Sequence, residues 1–88
     1  MKTRQIVLRC EGGLHLRVAA KVVKEVSRHQ SQVHIRCQNC PRANACSIFE
    51  LLQLGAGPGT QLDIQADGPD EDSTLQALAD VFETGGGI

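Results

Sequence analysis

The chain predicts an α+β sandwich: a β-sheet on one side, helices on the other. Three observations lead there. Short segments alternate apolar and polar residues, two longer segments repeat apolar residues at helical spacing, and glycine-rich breaks separate them. The resulting order is β-α-β-β-α-β-α, with no internal repeat and no linker. With 88 residues, residues 1–88 make a single domain around one modest core.

Residues 5–10 alternate, with Ile6, Leu8 and Cys10 on one face and Val7 and Arg9 on the other, which reads as a half-buried strand. Gly12-Gly13 breaks it. From Leu16 to about Ser27 the apolar positions Leu16, Ala19, Ala20, Val22, Val23 and Val26 recur at helical spacing, so these residues are expected on the buried face. The opposite face carries Arg17, Lys21, Lys24 and Arg28. Val33, Ile35 and Cys37 alternate with His34 and Arg36 in a second strand. Cys37-Gln38-Asn39-Cys40-Pro41 is a turn, followed by a short return strand around residues 42–45.

Ser47-Ile48-Phe49-Glu50 has the capping-box form, Ser at the N-cap and Glu at N3, and starts a short helix to about Leu54. Its core-facing residues are expected to be Leu51 and Leu54, which leaves Ile48, Phe49 and Leu52 partly exposed. Residues 55–59 end this helix, and Leu62, Ile64 and Ala66 alternate with Asp63 and Gln65 in a further strand. Asp67-Gly68-Pro69 turns the chain. Asp70, Glu71 and Asp72 suit the positive end of a helix dipole. Leu75, Leu78, Ala79 and Phe82 give that last helix its apolar stripe, and Gly85 is a natural stop.

Hydrophobic residues are 41% and charged ones 22%, the mix of a soluble globular chain. No leader pattern and no membrane-length apolar run is visible, so a cytoplasmic protein without membrane insertion is expected. The net charge of −1 conceals a polarity. All nine Lys/Arg and only two acids lie in residues 1–44, whereas residues 45–88 hold eight acids and no Lys/Arg. Such a distribution steers charged partners. Nucleic acid is not expected among them: the only aromatics are two Phe, which make no stacking platform. A chain this short also favours surface chemistry over a deep substrate cavity.

The most specific stretch is Gly13-Leu14-His15 with Arg17, a lone histidine where the first helix begins. Together with the block from Ser47-Ile48-Phe49 to Leu54-Gly55, with Gly59-Thr60, with Ala66-Asp67-Gly68 and with Asp70-Glu71, it resembles the histidine-containing phosphocarrier (HPr) family of the phosphoenolpyruvate-dependent phosphotransferase system. The likeness runs over nearly the whole chain. It implies an open-faced sandwich with three helices on a four-stranded antiparallel sheet of order 1-4-2-3. It also implies that His15 accepts a phosphoryl group, through Nδ1, from phosphorylated enzyme I and passes it to IIA domains for sugar uptake or regulation. Such a chain is a carrier, a substrate of enzymes more than an enzyme, with no cofactor. It is expected to be a monomer, since successive partners need the same surface.

These residue types suit that chemistry. Imidazole is nucleophilic near neutral pH, and its bond to phosphorus stays reactive enough to pass the group on. At a helix head, backbone N–H groups without intrahelical partners and the dipole favour an incoming phosphoryl dianion. Arg17 adds a two-pronged contact to phosphate oxygens. Lys21, Lys24 and Arg28 extend the positive stripe as docking charges, and Ile48, Phe49 and Leu52 supply an apolar docking patch. The resemblance also marks Ser47 as a regulatory phosphorylation site for an HPr kinase/phosphorylase, although the helix cap alone accounts for a serine there. His29 and His34 read as ordinary surface residues.

The sequence departs from the family pattern in three places: Val18 replaces a proline, Leu16 stands where a small residue is common, and Cys46 precedes Ser47 where a basic residue is usual. The four cysteines lie outside the pattern as well. Cys37, Cys40 and Cys46 are candidate metal ligands, resembling half of a zinc ribbon that lacks its second knuckle. Cys10 and Cys37 also suit the role of small buried hydrophobes. Two rival readings follow, a regulatory interaction protein of the same fold and a cysteine-based metal or redox module.

Overall fold

The computed structural model describes residues 1–9, 13–37, 42–55 and 57–83. Strands β1 (Lys2–Val7), β2 (Gln32–Cys37), β3 (Ala43–Asn44) and β4 (Gln61–Asp67) form one antiparallel sheet in the order β1-β4-β2-β3. The central strand, β4, turns Leu62, Ile64 and Ala66 inward. Across from them in register stand Ile6 of β1 and Cys37, Ile35 and Val33 of β2. All of these are buried. Helices α1 (Leu16–Ser27), α2 (Ile48–Gln53) and α3 (Glu71–Glu83) cover this face and complete the core with Val22, Leu51, Leu75, Leu78, Ala79 and Phe82. The open-faced sandwich and strand order implied by the resemblance are those observed.

Several element boundaries move, each for a physical reason. β1 begins three residues earlier than the apolar alternation indicated. Its inward row continues from Ile6 through Arg4 to Lys2, where it meets the polar side of α3 rather than the core. Lys2 Nζ donates to both carboxylate oxygens of Asp72 at 2.7 and 2.9 Å, and Arg4 donates to Gln76 Oε1 at 3.1 Å. These contacts are exposed to solvent, which screens the ion pair and leaves them a minor part of the fold's stability. Beyond Val7, Leu8 stays attached through its N–H to Thr60 (2.8 Å) and the Gly59 N–H to its carbonyl (2.7 Å). The expected end of this strand at Cys10 lies outside the described residues, as do Gly12, the turn residues Cys40 and Pro41, Ala56, and the helix stop at Gly85.

The return strand β3 is shorter than expected: Ala45 still donates its N–H to the Val33 carbonyl at 3.0 Å, but the Ser47 N–H then closes a turn on the Asn44 carbonyl at 3.0 Å. α1 has the expected span but a rotated buried face. Val18, Ala19, Val22 and Val26 are buried, while Leu16 and Ala20 are exposed. At about 100° per residue, Leu16 falls roughly 60° and Ala20 roughly 100° outside the arc bounded by Val18 and Ala19.

The largest correction concerns His29. Its side chain is only 15% exposed, and its ring nitrogens lie 3.0 Å from Glu25 Oε2 and 3.2 Å from Asp70 Oδ2. His34, by contrast, is a half-buried residue of the outer sheet face. Asp70, just before α3, gathers the whole α1–β2 connection. Its carboxylate accepts from the Gln30 N–H (3.0 Å) and the Ser31 hydroxyl (2.6 Å), while its carbonyl accepts from the Thr74 N–H and hydroxyl. The Ser31 and Gln30 hydrogen bonds, helped by His29, hold the Asp70 carboxyl at about 2, below its ordinary 3.8. The same approach leaves no room at Gly68: a Cβ there would stand 2.6 Å from Ser31 Cα and 2.7 Å from the Gln30 carbonyl oxygen.

Two outcomes follow. Gly68→Ala should lower stability by roughly 1–3 kcal/mol in urea unfolding, since backbone rather than a flexible side chain must give way. The Asp70 contribution should also depend on pH. A folded-state value below the unfolded one means the stabilisation is complete above about 4 and disappears as pH falls toward about 2. Thermal unfolding of Asp70→Asn should therefore trail the native chain at pH 6 and converge with it near pH 2.

Candidate functional site

The site is built from a turn and a helix head. Gly13 adopts φ +76°, a conformation that side chains with a Cβ rarely accept, and its carbonyl receives the His15 N–H at 3.0 Å. Leu14 is buried beneath the turn and anchors it. His15 is thereby placed at the N-cap of α1 in extended backbone (φ −103°, ψ −178°), with an exposed ring that makes no capping bond. Ala19 makes the first intrahelical bond, to the His15 carbonyl at 2.9 Å. The amides of Leu16, Arg17 and Val18 consequently donate to no acceptor among the described residues. No acidic residue stands in this first turn. Arg17 is exposed two residues from His15. An exposed imidazole thus stands at a helix head whose first amides lack acceptors among the described residues, with the exposed Arg17 two positions on, an arrangement that suits a phosphoryl dianion.

Lys21, Lys24 and Arg28 are all exposed along α1, so the basic stripe of the sequence is real. Arg28 shares part of its charge with Glu25, at 3.9 Å. On α2, Leu51 and Leu54 are buried and Ile48 is half-buried, whereas Phe49 is 65% and Leu52 38% exposed. α1 and α2 pack together. Leu16, 62% exposed immediately after His15, is an apolar surface residue that sequence reasoning missed. The available signal was angular: Val18 takes the buried position that Leu16 seemed to hold.

Ser47 is the N-cap of α2, its hydroxyl accepting the Glu50 N–H at 3.2 Å. The capping box is only half formed. The Glu50 carboxylate reaches the Asn44 N–H (3.2 Å), because the Ser47 N–H is already committed to the Asn44 carbonyl. The two cysteines among the described residues, Cys37 and Cys46, differ in state. Cys37 is buried on the inner sheet face and disulfide-bonded, His34 lies on the opposite face, and Cys46 is an exposed free thiol. Cys10 and Cys40 lie outside the described residues. Among the described residues no three His, Cys, Asp or Glu are placed to hold a metal ion.

With this geometry, the family model described as the PTS HPr component phosphorylation site matches residues 2–84. The chain belongs to the HPr family of phosphocarriers. It is 34% identical to the phosphocarrier protein HPr of Xylella fastidiosa (strain 9a5c), a match covering 94% of this chain and 92% of that protein. It is 33% identical to the phosphocarrier protein NPr of Proteus mirabilis (strain HI4320), over 93% and 91%. The HPr-C-His crystal structure from Thermoanaerobacter tengcongensis superposes with a TM-score of 0.91 at 34% identity, covering 100% of this chain and 98% of that one. An HPr protein carries phosphoryl groups in the phosphotransferase system and is not itself an enzyme. No helix among the described residues is long and apolar enough to cross a membrane.

Ser47→Ala should cost roughly 1 kcal/mol by removing the α2 cap. Chemical denaturation checks the value, and a change within error would mean that Ser47 is no cap of consequence.

Proposed function

We propose that His15 is the phosphoryl acceptor of this chain, loaded by phosphorylated enzyme I and unloaded onto IIA domains in the cytoplasm. The observation that carries the proposal is the exposed N-cap histidine at a helix head whose first three amides have no acceptor among the described residues, with Arg17 exposed two positions on. In loading, a ring nitrogen of His15 attacks phosphorus, a new N–P bond forms as the donor's bond to phosphorus breaks, and the electron pair leaves with the donor atom, which takes up a proton from solvent. The ring's remaining N–H proton passes to solvent. Helix-head amides and Arg17 neutralise the charge on the equatorial oxygens. Transfer to an IIA domain reverses these roles.

Docking is assigned to two surfaces. Lys21, Lys24 and Arg28 speed encounter with acidic partner surfaces, and Ile48, Phe49 and Leu52 provide apolar contact. Ser47 is proposed as a second, regulatory site for an HPr kinase/phosphorylase. Phosphate there would meet the start of α2 favourably while putting charge beside exposed Phe49. The successive use of one surface is consistent with a monomer.

The relay itself is the test. Labelled phosphoenolpyruvate, enzyme I and the native chain should deliver label to a IIA domain, and His15→Ala should deliver none. Label reaching the IIA domain through His15→Ala would overturn the assignment. Charge reversal of Lys21 and Lys24 together should slow association with enzyme I by 10-fold or more at low salt, with the difference shrinking as salt is raised. Stopped-flow mixing checks it, and an unchanged, salt-independent rate would remove the stripe from docking.

A further inference from the structure

We propose that the backbone N–H of Val18 is a third phosphoryl-binding donor, adding to those of Leu16 and Arg17. This inference rests on His15 being the phosphorylated residue. An N-cap side chain ordinarily supplies an oxygen that accepts from the amide two or three positions into the helix. Here those positions are Arg17 and Val18, and the N-cap ring of His15 supplies no such bond. The Val18 amide has no acceptor among the described residues, since the His15 carbonyl is taken by Ala19. Its side chain is fully buried with Ala19 and Val22, which fixes the direction of that N–H relative to the helix head. A phosphoryl group on the His15 ring places oxygens where an N-cap acceptor belongs. The residue type is what makes the donor exist: proline at this position would have none. This chain therefore holds its phosphoryl group with one more hydrogen bond than a chain with proline at the same place.

The experiment uses potassium phosphoramidate as phosphoryl donor, so that no partner protein is needed. The His15 ring forms its N–P bond as the P–N bond of the reagent breaks, ammonia leaves with the electron pair, and the ring's other proton goes to solvent. Amide resonances of the 15N-labelled native chain are recorded before and after, with His15→Ala as control. On phosphorylation the Val18 amide proton should move downfield together with those of Leu16 and Arg17, and its exchange with solvent should slow roughly tenfold, as a bond to a charged acceptor requires. In Val18→Pro, phosphorylated in the same way, the Leu16 and Arg17 shifts should persist. A phosphorylated His15 with a Val18 amide that neither shifts nor gains protection would overturn this inference and leave the carrier reading intact. Absence of any phosphohistidine in the native chain would overturn both.

Discussion

The inward row of β4, Leu62, Ile64 and Ala66, is the constraint on which the rest depends. These residues sit in the middle of the sheet, between Ile6 and the Val33-Ile35-Cys37 row, and water must be kept from all of them. Fully burying a side chain the size of Leu62 or Ile64 stabilises by roughly 1.5–3 kcal/mol. Covering them requires a helix whose apolar arc runs Val18, Ala19, Val22, Val26, together with Leu51 from α2 and Leu75, Leu78, Ala79 and Phe82 from α3. Once that arc faces down, the opposite side of α1 has no choice but to face solvent. Arg17, Lys21, Lys24 and Arg28 are the residues found there.

The same constraint makes the site. Val18 is buried in the first turn of α1 and Leu14 is buried just before the helix, so the chain between them is held at both ends. His15 lies on that short span, lifted into solvent by the Gly13 turn while its backbone starts the helix. The position is held at both ends without the ring being enclosed, which suits the proposed succession of partners. At the far end of α1, Asp70 gathers Gln30, Ser31 and His29, so the helix is secured at its tail by polar contacts and at its head by apolar ones.

Much of this was legible in the sequence because it follows from periodicity. The inward rows of β2 and β4, the stripe of α3 and the basic face of α1 were all visible as alternation or helical spacing. Gly13, His15 and Arg17 were visible as a motif. What escaped notice depends on three-dimensional neighbours. Leu16 and Val18 differ by two positions, and an apolar run through both does not say which is inside. His29 carries no local mark of burial, because its partners come from Glu25 one turn back and from Asp70 forty-one residues on. The start of β1 at Lys2 was hidden for a similar reason, since Lys2 and Arg4 point at α3 rather than into the core. Glu50 has the right spacing for a capping box, yet a competing turn at Asn44 takes the backbone donor it would need.

The measurement that tests the central claim most directly is the intact mass of the chain after incubation with enzyme I and phosphoenolpyruvate, set beside that of His15→Ala. A single phosphoryl adduct, labile in acid and missing from the variant, is the predicted result. An unmodified native chain in the presence of an enzyme I shown to be active, or an adduct that survives the loss of His15, would contradict the account.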